Sequence, residues 1–110
     1  MICWSQVTEL RDDVGHEDFP EVVEIFLEEV AENLASLAHD PALEEVLHAL
    51  KGNALNLGFD RFATLCADAE RLATAGGGDA VDLKTIRQTF DESRALFLTE
   101  LPQRLADQAR

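Results

Sequence analysis

The stretch that decides the fold is DPALEEVLHALKGNALNLGF, residues 40–59. Asp40 and Pro41 are typical of a helix start, with Asp40 as N-cap and Pro41 in the first position, and Gly58 is typical of a helix end. At about 100° per residue, five apolar side chains fall within about 40° of one direction: Leu43, Leu47, Leu50, Ala54 and Leu57. The stretch therefore predicts an amphipathic helix with one buried stripe.

Helical periodicity continues on both sides of this stretch. Upstream, it predicts a short helix over residues 5–14 and a long one over residues 18–39. Downstream, it predicts a helix over residues 59–75 and another that starts within residues 79–82, with Pro102 ending or kinking the last. The chain shows no convincing alternation of apolar and polar residues, so no strand is predicted.

Four long amphipathic helices with short connections fold most simply as a bundle. The expected fold class is all-α: an antiparallel up-down-up-down four-helix bundle with a short extra N-terminal helix that closes one end. Residues 1–110 are expected to form a single domain. The triple glycine at 76–78 is interpreted as a hinge between helices, because neither a preceding strand nor a following G-K-[ST] supports a phosphate loop.

The composition excludes several classes of function. The 22 Asp and Glu residues against 9 Lys and Arg argue against binding to nucleic acid or anionic lipid. No long apolar run and no basic leader are present, so neither a membrane span nor a secretion signal is predicted. Cys3 and Cys66 lie in unrelated contexts, which predicts reduced thiols, no metal site and a cytoplasmic location.

His48 is predicted to point away from the core stripe. It lies about 140° around the helix from Leu43, and Gly52 lies at about 180°. Glycine weakens a helix interior by roughly 1 kcal/mol relative to alanine, so a role other than helix stability is expected for Gly52. Clearance for a partner that approaches the imidazole is our interpretation. Lys51 can reach a group bound to the ring, and the apolar Leu55 extends the exposed patch.

These residues suit phosphoryl transfer. An exposed imidazole, with an ordinary pKa of about 6.5, is a nucleophile near neutral pH. Lys51 beside it would balance the charge of a transferred phosphoryl group. The alternative is a chance histidine on a wet helix face, with Lys51 a solvated charge and Gly52 a packing accident. The combination of His48, Lys51, Gly52 and Gly58 on one predicted helix favours the first interpretation.

The chain resembles the histidine-containing phosphotransfer (HPt) domains of bacterial two-component phosphorelays. The residues that support this are His48-Ala49-Leu50-Lys51-Gly52 and Gly58, similar to the family's H-x-[LI]-K-G followed by a glycine ten residues after the histidine. The resemblance covers essentially the whole chain and implies an antiparallel four-helix bundle. It also implies that the histidine accepts a phosphoryl group on Nε2 from a receiver aspartate or a sensor kinase, and passes it to another receiver aspartate.

The resemblance implies a role for each residue of the site. His48 would be the phosphoacceptor, Lys51 the nearby cation and Gly52 the residue that leaves clearance. Glu70 stands 22 positions after His48, where many family members place a Glu or Gln that accepts a hydrogen bond from the imidazole Nδ1–H. Such a bond would leave Nε2 unprotonated. The alternative for Glu70 is a solvated charge paired with Arg71 or Lys51.

A docking surface around His48 is predicted to contain five further residues: Gly52, Leu55, Glu44, Asn56 and Ile25. Ile25 either reaches this surface or packs under the first helix. Glu44, one turn before His48, would either raise the imidazole pKa or slow phosphorylation.

The resemblance also implies partners. These are response-regulator receiver domains and a sensor histidine kinase, and the chain is expected to be a monomer without ATP-dependent kinase activity or a cofactor of its own. Mg²⁺ would belong to the partner receiver. Two rivals are a helical module that sequesters or inhibits a receiver without phosphotransfer, and an adaptor outside phosphosignalling. His48, Lys51 and Gly52 together argue against both, because a pure binder does not need a nucleophile.

Overall fold

The computed structural model describes residues 1–108, with side chains as far as Arg104. It contains five α-helices: α1 is Trp4–Val14, α2 is Phe19–Ala35, α3 is Leu43–Leu57, α4 is Asp60–Leu72 and α5 is Leu83–Gln108. The described residues form no strand, and one isolated antiparallel bridge joins Ile2 to Phe59. The predicted all-α class is confirmed.

Helices α2 to α5 form the antiparallel bundle. Helix α3 packs against both α2 and α4, and α5 packs against α4. Helix α5 also meets α2, because the Arg87 guanidinium donates to the backbone carbonyls of Leu34 and Leu37 at distances of 3.2 and 2.7 Å. His39 Nε2, which follows α2, lies 2.8 Å from the carbonyl oxygen of Val81 just before α5. The end of α2 therefore faces the start of α5, as an up-down-up-down order requires.

The core is filled by aliphatic and phenylalanine side chains. The predicted stripe of α3 is buried in full: Leu43, Leu47, Leu50, Ala54 and Leu57. Around the corner between α3 and α4, the ring centroid of Phe59 lies 5.3 Å from that of Phe97 and 6.1 Å from that of Phe90. These tilted aromatic contacts hold α5 against the corner.

Gly58 turns the chain at this corner. Its φ of 75° is left-handed, a conformation that glycine adopts without strain. A Cβ at this position would lie 2.6 Å from the carbonyl oxygen of Cys3. The Cys3 backbone N–H donates to the Gly58 carbonyl at 2.6 Å, and the Trp4 ring stacks on Phe97 with centroids 5.7 Å apart. Gly58 thus lets the N-terminal segment and α1 close this end of the bundle, as predicted.

Helix α3 begins later than predicted. It starts at Leu43 with Ala42 as its N-cap, whereas the sequence placed the cap at Asp40. The Ala42 N–H donates to Asp40 Oδ1 at 2.9 Å, so Asp40 stabilises a turn that precedes the helix. Helix α2 ends at Ala35, and the buried Leu37 lies in the connection rather than on the helix.

The ends of α4 and α5 also differ from the prediction. Helix α4 ends at Leu72, and residues 73–77 form one wider turn in which Gly76 has a φ of 89°. Leu72, the last residue of α4, is 40% exposed. Helix α5 continues past Pro102, so of the two predicted outcomes, an end or a kink, the helix does not end there, although proline withholds one backbone N–H from the helix.

Candidate functional site

His48 lies on the outer face of α3, and 71% of its side chain is exposed. The buried stripe of the helix faces the other way, as the spacing predicts. Gly52 is exposed one turn further on, and a Cβ built there would meet no atom within 4 Å. The fold itself therefore leaves room for a side chain at position 52, and no contact among the described residues explains the glycine.

The Glu70 carboxylate on α4 joins His48 and Lys51. His48 Nδ1 lies 2.8 Å from Glu70 Oε2, and the Lys51 ammonium donates to Glu70 Oε1 at 2.6 Å. The antiparallel packing of α3 and α4 brings residues 22 positions apart into contact. The predicted contact between Glu70 and His48 is present, and so is the alternative pairing with Lys51. Arg71 instead pairs with Asp68.

Electrostatics fix the tautomer of His48. The hydrogen bond from Lys51, together with that from His48, lowers the pKa of the Glu70 carboxyl in spite of its partial burial. An ionised carboxylate can only accept hydrogen bonds, so the His48 Nδ1–H must be the donor. In the neutral imidazole, Nε2 then holds the free lone pair. In that form, the lone pair of Nε2 belongs to a side chain that is 71% exposed.

Cys66 lies one turn before Glu70 on the buried side of α4. Burial, and to a lesser degree the charge of Glu70, raises the pKa of the Cys66 thiol to about 12. The thiol is thus protonated at neutral pH, and Cys66 is a small apolar side chain of the core rather than a reactive nucleophile.

Two open depressions flank the contact between His48 and Glu70. The first has a volume of about 410 Å³ and is lined by Pro41, Glu44, Glu45, His48 and Glu70. The second has a volume of about 380 Å³ and is lined by Lys51, Leu55, Asp60, Ala63, Thr64 and Ala67. Both are shallow surfaces of the kind that another protein can cover.

The structure brings some of the predicted docking residues to these depressions. Glu44 lines the first, and Leu55, which is 55% exposed, lines the second. Asn56 is exposed near the end of α3, and Ile25 is 48% exposed on α2, so Ile25 lies on the surface. Neither Asn56 nor Ile25 lines a depression next to His48.

Thr74 joins the site although the sequence analysis did not select it. Its hydroxyl donates to Glu44 Oε1 at 2.9 Å from the wider turn that follows α4. The feature of the sequence that could have indicated Thr74 is its position four residues after Glu70. That signal was weak, because the contact depends on where the chain runs after α4 ends.

The described part of the chain has neither a metal-binding cluster nor a membrane-spanning helix. Among the side chains described, as far as Arg104, there is no group of three or more His, Cys, Asp or Glu that could hold a metal ion. None of the helices described here has the length and apolar character needed to cross a bilayer.

Comparison with known proteins agrees with this geometry. The family model of the Hpt domain matches residues 21–106, a span that includes all of α3 and α4. The phosphorelay protein LuxU of Vibrio cholerae serotype O1 (strain ATCC 39315 / El Tor Inaba N16961) is 35% identical over 86 residues, which cover 72% of this chain and 74% of that protein. No solved structure gives a significant match. The chain therefore belongs to the Hpt family of histidine-containing phosphotransfer domains, and its role is histidine phosphotransfer in a two-component phosphorelay.

Proposed function

We propose that His48 is the phosphoacceptor, that it takes a phosphoryl group on Nε2 from a receiver aspartate or a sensor histidine kinase, and that it passes the group to a response-regulator aspartate. The observation that supports this most directly is the hydrogen bond between His48 Nδ1 and Glu70, 2.8 Å long, on a side chain that is 71% exposed. The bond leaves Nε2 free to attack and open to a partner.

The transfer step needs no free proton. His48 Nε2 attacks the phosphorus of an aspartyl phosphate, the new N–P bond forms, and the P–O bond to the aspartate breaks, so that the partner's aspartate leaves as a carboxylate. The proton on Nδ1 stays in place. Positive charge develops on the ring, and the Glu70 carboxylate beside Nδ1 stabilises it. Transfer to the next receiver is the same step in reverse.

Lys51 supports the step by changing partner. Its ammonium donates a hydrogen bond to the Glu70 carboxylate in the resting protein, and Lys51 lies three residues after His48 on the same helix. During transfer the ammonium can exchange this contact for one with a phosphoryl oxygen. Glu70 meanwhile keeps its hydrogen bond to the imidazole ring, which then has a positive charge. The pair of contacts thus provides one cation for the phosphoryl group and one anion for the imidazole.

The partners follow from the same chemistry. Receiver domains and a sensor histidine kinase would dock over His48, Gly52 and Leu55, and the receiver would bring its own Mg²⁺. The acidic excess of the chain disfavours nucleic acid as a partner. We expect the protein to work as a cytoplasmic monomer without a cofactor of its own.

A labelling assay tests the proposal. The purified chain is incubated with receiver domains from the same organism, each first phosphorylated on aspartate, and acid-labile, base-stable phosphate on the chain is measured. Transfer from at least one receiver is expected. Binding of receivers without any transfer would contradict the proposal and would favour a module that only sequesters them.

Replacement of Glu70 should remove the preference of the neutral His48 ring for the Nδ1–H tautomer. In Glu70→Ala, we expect the Nδ1–H form to lose its dominance and the rate of transfer to fall about 10- to 100-fold, the usual effect of removing such an orienting partner. Glu70→Gln, which keeps an accepting oxygen but no charge, should be intermediate. Nitrogen chemical shifts of the imidazole report the tautomer, and a stopped labelling reaction reports the rate.

Asp68→Asn is the matched control for Glu70. It removes one carboxylate from the same helix, but that carboxylate pairs with Arg71 rather than with His48. Because the pKa of Glu70 is lowered, its carboxylate should keep accepting the hydrogen bond from Nδ1–H through mildly acidic pH, and this contact should weaken only as the pH falls through that lowered pKa. Unchanged nitrogen chemical shifts of His48 in Glu70→Ala would show that Glu70 does not set the tautomer of the ring.

Replacement of Gly52 should separate stability from activity. We expect Gly52→Ala to raise the free energy of unfolding by roughly 0.5–1 kcal/mol, since alanine favours the helix and its methyl group meets no neighbour. The same methyl group projects from the surface one turn from His48 and should slow transfer from receivers severalfold. Ala31→Gly, exposed on α2, calibrates the cost of glycine in this protein. A variant that is more stable and equally fast would show that clearance at position 52 is not needed.

A further inference from the structure

We propose that Glu44, held in place by Thr74, makes the site select protein phosphodonors that present a cationic side chain beside His48 over small free phosphate anions. The inference rests on the proposed function of His48 and concerns the specificity of that reaction.

Glu44 stands where it can influence the reaction. It lies one turn before His48 on α3, and the two side chains line the same depression of about 410 Å³. An exposed glutamate ordinarily samples several rotamers. Here the Thr74 hydroxyl donates to its Oε1 at 2.9 Å, a contact that favours this position of the carboxylate. Thr74 thus acts as a positioning residue, and Glu44 is a fixed charge.

The charges around His48 are distributed unevenly. The depression that contains Glu44 is lined by three carboxylates, those of Glu44, Glu45 and Glu70, and by no Lys or Arg. Lys51 lies beyond His48 on the other side, where the second depression begins. An anion that enters beside Glu44 therefore meets negative charge, whereas phosphoryl oxygens turned towards Lys51 meet a cation.

This asymmetry favours one class of donor. A small phosphate anion has no positive group to place against Glu44, so repulsion slows its approach. A protein that presents a Lys or Arg opposite Glu44 converts the repulsion into attraction and is oriented with its phosphoryl group at Nε2. Glu44 should therefore slow small donors and speed the correct protein donor.

The test compares two donors. The small donor is acetyl phosphate, which is anionic and has no cationic group: His48 Nε2 attacks its phosphorus, the Nε2–P bond forms, the P–O bond to the acetyl group breaks and acetate leaves. The second donor is any phosphorylated receiver that the wild-type chain accepts. In Glu44→Gln we expect the rate with acetyl phosphate to rise about two- to fivefold and the rate with the receiver to fall by a similar factor. Added salt should reduce both changes.

Three further variants separate position from charge. Thr74→Val should shift both rates in the same directions as Glu44→Gln but less, and Thr74→Ser, which keeps the hydroxyl, should restore wild-type behaviour. Glu92→Gln removes an exposed charge from α5 and should change neither rate. Opposite changes for the two donors cannot come from an altered reactivity of the ring, which would move both rates together.

Rates that move together, or that do not move in Glu44→Gln, would overturn the inference while the proposed function stands. A wild-type chain that takes phosphate from neither donor would overturn the proposed function and the inference with it.

Discussion

Replacing His48 with glutamine is expected to abolish phosphate incorporation while the melting temperature stays nearly unchanged. The ring is the proposed nucleophile, and an amide cannot replace its nitrogen. Because 71% of the side chain is exposed, little packing is lost, and the free energy of unfolding should change by about 0.5 kcal/mol or less. The measurement is labelling by a phosphorylated receiver, followed by thermal unfolding of the same preparation.

The two other histidines are the matched controls. His16→Gln and His39→Gln should keep full labelling. His39→Gln should also lower stability, because the His39 ring contacts the Val81 carbonyl at 2.8 Å and joins the end of α2 to the start of α5. Residual labelling of His48→Gln would place the phosphoacceptor elsewhere in the chain. A large loss of stability in that variant would mean that the ring is packed rather than free.

Phe97→Ala is expected to have the opposite profile. Phe97 is fully buried on α5, where its ring lies 5.3 Å from Phe59 and 5.7 Å from Trp4. Truncation to alanine should lower the free energy of unfolding by about 3–5 kcal/mol. For a domain of this size, such a loss lowers Tm by roughly 15–30 °C. Thermal and chemical unfolding measure both quantities.

The site should survive this change at low temperature. Phe97 holds α1 and the corner between α3 and α4, and it lines neither depression beside His48. The fraction of Phe97→Ala that remains folded should therefore be labelled at the wild-type rate. Phe97→Leu, which keeps most of the buried volume, should lose much less stability. A loss below about 1 kcal/mol in Phe97→Ala would show that this end of the bundle is loosely packed.

The buried stripe of α3 could be predicted from sequence because a repeat of 3.6 residues leaves few choices for which side chains face the core. Leu47 and Leu50, both fully buried, are found where the periodicity puts them. Helix ends could not be located as well. Asp40 looks like an N-cap but stabilises a preceding turn, and the wider turn after Leu72 depends on the left-handed Gly76. Local residue preferences do not distinguish these alternatives.

The candidate site was predictable to a similar degree. The exposure of His48 followed from helix geometry, and its contact with Glu70 was expected from the resemblance and its spacing of 22 residues. Two features appear only in the folded structure. Glu70 contacts His48 and Lys51 at the same time, whereas the sequence offered these contacts as alternatives, and Thr74 contacts Glu44 although the two residues are 30 positions apart in sequence. Such contacts depend on how side chains of different helices are placed against each other, and the residue pattern of one sequence contains no information about this placement.

Gly52 has a consequence for protein engineering and for evolution. An exposed helical glycine with empty space at its Cβ is the first position that a programme for thermal tolerance would change. Here a library sorted only for heat resistance would accumulate alanine at residue 52 and yield sturdier proteins that relay signals poorly. Natural selection for signalling speed would act against the same change, and the glycine would persist as a small, permanent loss of robustness.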